Sequence, residues 1–128
     1  MGNAYSAQNV ASFLIYELTE KSYKPTKMQL QQLLRIVDLN WMSIFGHSAF
    51  HEEKHLNEKY YIYEVYQTYE EQFRSNYITE PAKEWFLPYG QFQLIYRPFA
   101  VPAFSPIEKI VMQKMIKKFF SGVLLKVS

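Results

Sequence analysis

Thr26-Lys27-Met28-Gln29-Leu30-Gln31-Gln32-Leu33-Leu34-Arg35-Ile36-Val37-Asp38-Leu39-Asn40-Trp41-Met42-Ser43-Ile44-Phe45-Gly46 decides the fold class, because each part of it is a helix signal. Pro25 breaks whatever precedes it, and Thr26 with Gln29 three residues on is the pattern of a capping box, in which each side chain satisfies an orphan amide of the first turn. Leu30, Leu33, Leu34, Val37, Trp41, Ile44 and Phe45 then recur at three- and four-residue steps, placing one apolar face over about five turns. Gly46 supplies a residue that tolerates the left-handed conformation of a helix C-cap.

Upstream, Ser6 is a candidate cap for a helix to about Lys21 with Val10, Phe13, Leu14 and Leu18 as its buried stripe. Downstream, Ile62, Tyr66, Tyr69 and Phe73 are spaced for a third helix, with a slip in period near Tyr60. Between Asn76 and Ser105 the character changes: five of the six prolines follow from Pro81, and Pro88-Tyr89-Gly90 separates two aromatic runs, which predicts a short hairpin or an extended arm. Ser105-Pro106-Ile107-Glu108 combines an N-cap, proline at the first helical position and glutamate at the third. The helix it starts is expected to bury Ile107, Ile110, Val111, Met115 and Phe119, to carry Lys114, Lys117 and Lys118 near its negative end, and to stop at Gly122. The expectation is a mainly α chain, one compact domain over residues 1–128 of about four helices, with a short β-hairpin or extended aromatic arm.

Composition narrows the function. The chain has 128 residues and no cysteine, which excludes a disulfide-stapled module, Cys-ligated metal sites and thiol enzymes, and points to a cytoplasmic setting. At this length folding buries roughly 65 to 70% of the unfolded surface, enough to need no metal. Fourteen basic side chains stand against twelve acidic ones, evenly spread, so nucleic acid is not the expected partner. No apolar run reaches the length of a membrane span, and the polar residues 1–8 do not form a signal peptide. Met1-Gly2-Asn3-Ala4-Tyr5-Ser6 fits the loose myristoylation pattern and is discounted for that looseness. No G-x-S-x-G occurs, and the four glycines form neither a P-loop nor a dinucleotide fingerprint.

Two features invite function. His51-Glu52-Glu53-Lys54-His55 matches H-E-x-x-H, which on a helix sets two imidazoles on one face for zinc, with Glu52 as general base. Charged neighbours on all sides and Gly46, which ends the preceding helix just before His47, weigh toward a solvated polar helix start, so a zinc-dependent hydrolase using His51, Glu52 and His55 stays only an alternative. The second feature is an aromatic surplus. Tyr60, Tyr63, Tyr66, Trp85, Tyr89, Phe92, Tyr96 and Phe99 exceed the needs of a small core and fit an exposed protein-binding patch better than a base-stacking one, since arginine is scarce.

The N-terminal half resembles the Panacea domain, the SocA-like antitoxin family. Tyr5-Ser6 leading to Val10-Ala11-Ser12-Phe13-Leu14 is similar to the family's "vAnyfl" helix, and Pro25 to Leu34 resembles its "iTplkLqKLlY" segment. Trp41, Gly46 and Phe50 fall where the family has "gwyLalyGkpLF", and Phe104 to Lys109 resembles its "lsxeek" helix start. Gln32 in place of the usual lysine and the absent Gly-Pro turn mark a divergent member. The resemblance implies a helical, non-catalytic domain that binds and neutralises a partner protein, often a toxin encoded beside it, or delivers it to a protease. No cofactor is expected and the binding is expected to be stoichiometric; a phage inhibitor of a host defence nuclease is an alternative that shares the binding chemistry and differs only in target.

Overall fold

The computed structural model describes residues 2–127, with side-chain environments through residue 122. The chain runs α1 (Ala7–Glu20), α2 (Lys27–Phe45), α3 (Tyr63–Gln72), β1 (Lys83–Phe86), β2 (Ile95–Pro98) and α4 (Pro106–Val127). Helices α1 and α2 pack on each other, and both contact α3 and α4. The architecture is therefore mainly α with one two-stranded antiparallel hairpin. Among the described residues no helix is long and apolar enough to cross a membrane.

Helix α2 begins as its sequence dictates. Thr26 Oγ1 accepts from the Gln29 amide at 3.0 Å while Gln29 Oε1 accepts from the Thr26 amide at 2.9 Å, closing the capping box. Leu30, Leu33, Leu34, Val37 and Trp41 are buried and Phe45 packs half-buried against Trp41, but Ile44 is 53% exposed. Gly46 ends it at φ +79°, a conformation that crowds a Cβ against the following carbonyl. Gly46→Ala is expected to cost about 1 kcal/mol, read as a lower urea midpoint with an unchanged slope.

Polar side chains then tie the irregular segments to this helix. Asp38, fully buried on α2, accepts from Ser48 Oγ (2.6 Å), the Ala49 amide (2.8 Å) and the Tyr61 hydroxyl (2.5 Å). Burial and the Asp38 carboxylate both push the Tyr61 phenol above its ordinary range. The N-terminal segment lies in the same region, bridging to Phe50 through Tyr5 and giving the Asn3 carbonyl to Trp41 Nε1 at 3.0 Å. At Gly2 the backbone comes so close to Phe45 that a Cβ would stand 2.5 Å from the ring, which gives the second residue a packing reason to be glycine.

Three sequence expectations are corrected. Ser6 occupies the N-cap of α1, yet its hydroxyl caps nothing; the cap comes from a side chain 46 positions away, described below. In α4 the buried stripe is Glu108, Val111, Met112, Met115 and Ile116, whereas Ile107 and Ile110 are each 52% exposed. Glu108 turns inward, where its carboxylate receives Asn3 and Tyr5, and Val111, Met112, Met115 and Ile116 complete that face. Nor does α4 stop at Gly122: it continues to Val127, since a glycine weakens a helix interior by only about 1 kcal/mol without ending it.

Candidate binding arm

Beyond α3 the chain leaves helix from Phe73 to Ser105, and its two ends are fastened before the middle projects. Ile78 and Ala82 are in the core. The Ala82 amide donates to the Tyr69 hydroxyl at 3.0 Å, and burial of that phenol raises its pKa beyond the ordinary range. Gln72 clamps the next residue from both sides: its Oε1 accepts from the Lys83 amide and its Nε2 donates to the Lys83 carbonyl, each at 2.8 Å. The returning strand closes on the same point, Phe99 N–H donating to the Ala82 carbonyl at 3.0 Å.

From this base β1 and β2 pair in the register Lys83↔Pro98, Glu84↔Arg97, Trp85↔Tyr96 and Phe86↔Ile95. Opposed residues share a face, so the register sorts the side chains. On one face Trp85 and Tyr96 pack with their rings tilted by 37° and 4.8 Å between centroids, and remain 66% and 49% exposed. On the other, the Arg97 guanidinium lies 3.4 Å from the Phe86 ring centroid and 3.6 Å from Glu84. Leu87 and Leu94 carry the apolar character outward, and at the tip the rings of Tyr89 and Phe92 are fully exposed. Isolated hairpins are marginal in water. This one is held by the base clamp and by its cross-strand aromatic pair, worth about 0.5–1.5 kcal/mol. The apolar surface it shows is the kind that folded chains keep for contacts with other molecules.

The eight aromatics anticipated as a surface therefore separate into three groups. Trp85, Tyr89, Phe92 and Tyr96 are on the arm, where expected. Phe99 is corrected: it is half-buried and packs against the core at the arm's base. Tyr60, Tyr63 and Tyr66 cluster with centroids 5.2 to 6.4 Å apart at the opposite end of α3, a helix of about 15 Å. They form a second patch. Leu87 and Leu94 were not anticipated, although apolar residues bracketing a Pro-Tyr-Gly turn are a legible signal.

The H-E-x-x-H segment is not helical, and there is no polar helix start at His51. Without a helix the four-residue spacing no longer stacks the two imidazoles. Glu52 is instead the missing cap of α1: its two carboxylate oxygens accept from the Ala7 amide at 3.0 and 3.1 Å, and Ser6 Oγ donates to it at 3.3 Å. A negative charge there also complements the positive end of the helix dipole. Glu52→Gln should lower stability by about 1 kcal/mol, measured by thermal unfolding at neutral pH. His47 sits between two carbonyls, Gly2 O at 2.6 Å and Ser48 O at 2.8 Å, and His55 packs edge-on against Tyr60. Among the described residues no three His, Asp or Glu side chains converge as metal ligands would.

Compared with known proteins, the chain matches no protein-family model, no curated protein and no solved structure.

Proposed function

We propose that this protein is a non-catalytic binding module that sequesters a partner protein one to one, with the hairpin from Lys83 to Pro98 as its principal contact. The observation that carries the reading is the full exposure of Tyr89 and Phe92 on an arm whose base is hydrogen-bonded to α3. Rigid aromatic side chains lose little conformational freedom when a partner covers them, which is why they dominate interface energetics. Glu52, the general base of the rival hydrolase reading, is engaged in capping α1, which favours the binding role. The Panacea-like sequence features point to a toxin encoded beside this chain as the partner, and the same surface chemistry would serve a phage protein that occludes a host defence nuclease.

Affinity capture from the native host with the wild-type chain and with the Tyr89→Ala/Phe92→Ala variant tests this. A protein recovered in equimolar amount by the wild type and lost from the variant supports it. Equal recovery by both removes the arm from the interface, and recovery of the wild-type chain alone removes the binding role.

A further inference from the structure

We propose that the cleft between the outer face of α2 and the loop from His55 to Tyr61 binds a small oxyanion, a carboxylate or phosphate, carried on an apolar or aromatic body. This site is separate from the arm and does not depend on its role.

Met28, Gln32 and Arg35 follow one another at four and three residues, so they form one stripe of α2, turned away from the buried stripe of Leu30, Leu34, Val37 and Trp41. The loop opposite is fixed from within. His55 N–H donates to the Tyr61 carbonyl at 2.8 Å, and Asn57 Oδ1 accepts from the amides of Lys59 and Tyr60 at 2.9 and 3.0 Å. The buried amide of Gln31 holds the far end, its Oε1 accepting from the Tyr61 and Ile62 amides at 2.7 and 3.0 Å. Between helix and loop lies a void of about 390 Å³, within the usual range of small-molecule sites.

The groups facing this void are mostly donors without another task. Among the described residues the Arg35 guanidinium makes no ion pair, as the two that form are Lys27–Glu70 and Arg97–Glu84. The Asn57 oxygen is committed to the loop, which leaves its NH₂ to donate outward. Gln32 contributes an amide and His55 an imidazole, the latter set edge-on against Tyr60 at 5.2 Å. A guanidinium with neighbouring N–H donors matches an oxyanion, which arginine grips through two parallel hydrogen bonds. Met28 and the ring of Tyr60 line the rest and ask for an apolar body on the ligand. Glu58 is the one acid in the lining and is exposed, as are Gln32, Arg35 and Asn57, and it faces one cation and three neutral side chains that carry N–H groups, Gln32, His55 and Asn57.

The test is a titration of ¹⁵N-labelled protein, followed by NMR, with phenyl phosphate and with benzoate, and with inorganic phosphate as the probe that lacks a body. The expected result is a saturable set of shifts confined to residues 28–35 and 55–61, with inorganic phosphate binding about tenfold more weakly than phenyl phosphate. Whichever aromatic probe binds more tightly identifies phosphate or carboxylate as the natural group. Arg35→Gln should weaken binding by about tenfold or more, and Arg35→Lys, which keeps the charge and loses the fork, by less. Arg35 is exposed, so both variants should keep the wild-type melting temperature. Failure of both aromatic probes to saturate by about 10 mM overturns the proposal. So do shifts that persist unchanged in Arg35→Gln, or shifts centred on Lys109, Lys114, Lys117 and Lys118.

Discussion

Replacing Glu108 by alanine is expected to lower the unfolding free energy by about 3 to 4 kcal/mol, a large part of what holds a domain of this size together. The carboxylate is fully buried and acts as a hub. Oε1 accepts from the Tyr5 hydroxyl at 2.6 Å and the Ser105 amide at 2.8 Å, and Oε2 from the Asn3 amide at 2.7 Å, while the Glu108 amide reaches back to Ser105 Oγ at 3.3 Å. Its loss leaves several donors unpaired and opens a void between the N-terminal segment and α4. Glu108→Gln keeps the shape but must turn one NH₂ toward a donor, so an intermediate loss of about 1 to 2 kcal/mol is expected. The same contacts set an acid limit. Burial works to raise the Glu108 pKa, but hydrogen bonds from Tyr5, Asn3 and Ser105 outweigh it and hold the carboxyl below its ordinary value of 4.5. As pH falls the unfolded chain therefore takes up this proton before the folded one, so the stabilisation is complete above the unfolded value and drains away as pH drops toward the folded one. Urea midpoints measured from roughly pH 6 to pH 3 should fall more steeply for the wild type than for Glu108→Gln. Parallel curves would show that Glu108 does not set the acid limit.

The contrast between Glu108 and Glu52 shows where a linear sequence informs and where it stops. Thr26–Gln29 and Ser105–Glu108 are local pairs three residues apart, and both caps were legible because both partners lie in one turn. That Glu108 would also receive Asn3 and Tyr5, some hundred residues away, is a tertiary fact. Apolar residues alone place Ile107 and Ile110 inside with Val111 and Met115; the last two are buried, and Glu108, Met112 and Ile116 stand in place of the first two. Glu52 is the opposite case. Its spacing to His51 and His55 suggested a helix, but the chain there is held by the Tyr5–Phe50 bridge and by Lys54 Nζ donating to the Phe50 carbonyl at 2.7 Å, and the carboxylate serves a helix far behind it in sequence. The arm was legible in outline from its prolines and aromatics. Its faces were not, because they depend on register: Trp85 opposite Tyr96 sends both to one side, while Phe99, past the last pair, returns to the core.

Tyr89→Ala/Phe92→Ala is expected to weaken partner binding by about 100-fold or more while leaving the melting temperature within a degree or so of wild type. The two halves of that expectation come from one observation. Both rings are fully exposed in the free protein, so removing them takes nothing from the fold, whereas in a complex each would bury its full area. Trp85→Ala should behave differently, since it also breaks the cross-strand ring contact with Tyr96: a stability loss of about 0.5–1.5 kcal/mol should accompany the loss of affinity. Gln72→Ala separates contact from positioning. Gln72 lies at the end of α3, and its amide only fixes Lys83 at the arm's base, so its removal loosens the arm without removing a contact side chain. Affinity should fall by a smaller factor, roughly three- to tenfold, through the added cost of ordering the arm on binding. Calorimetric titration of the captured partner against the three variants resolves these effects. A Tyr89/Phe92 variant that binds like the wild type would sink the arm as the interface, and the Tyr60, Tyr63 and Tyr66 cluster at the far end of α3 would then be the surface to substitute.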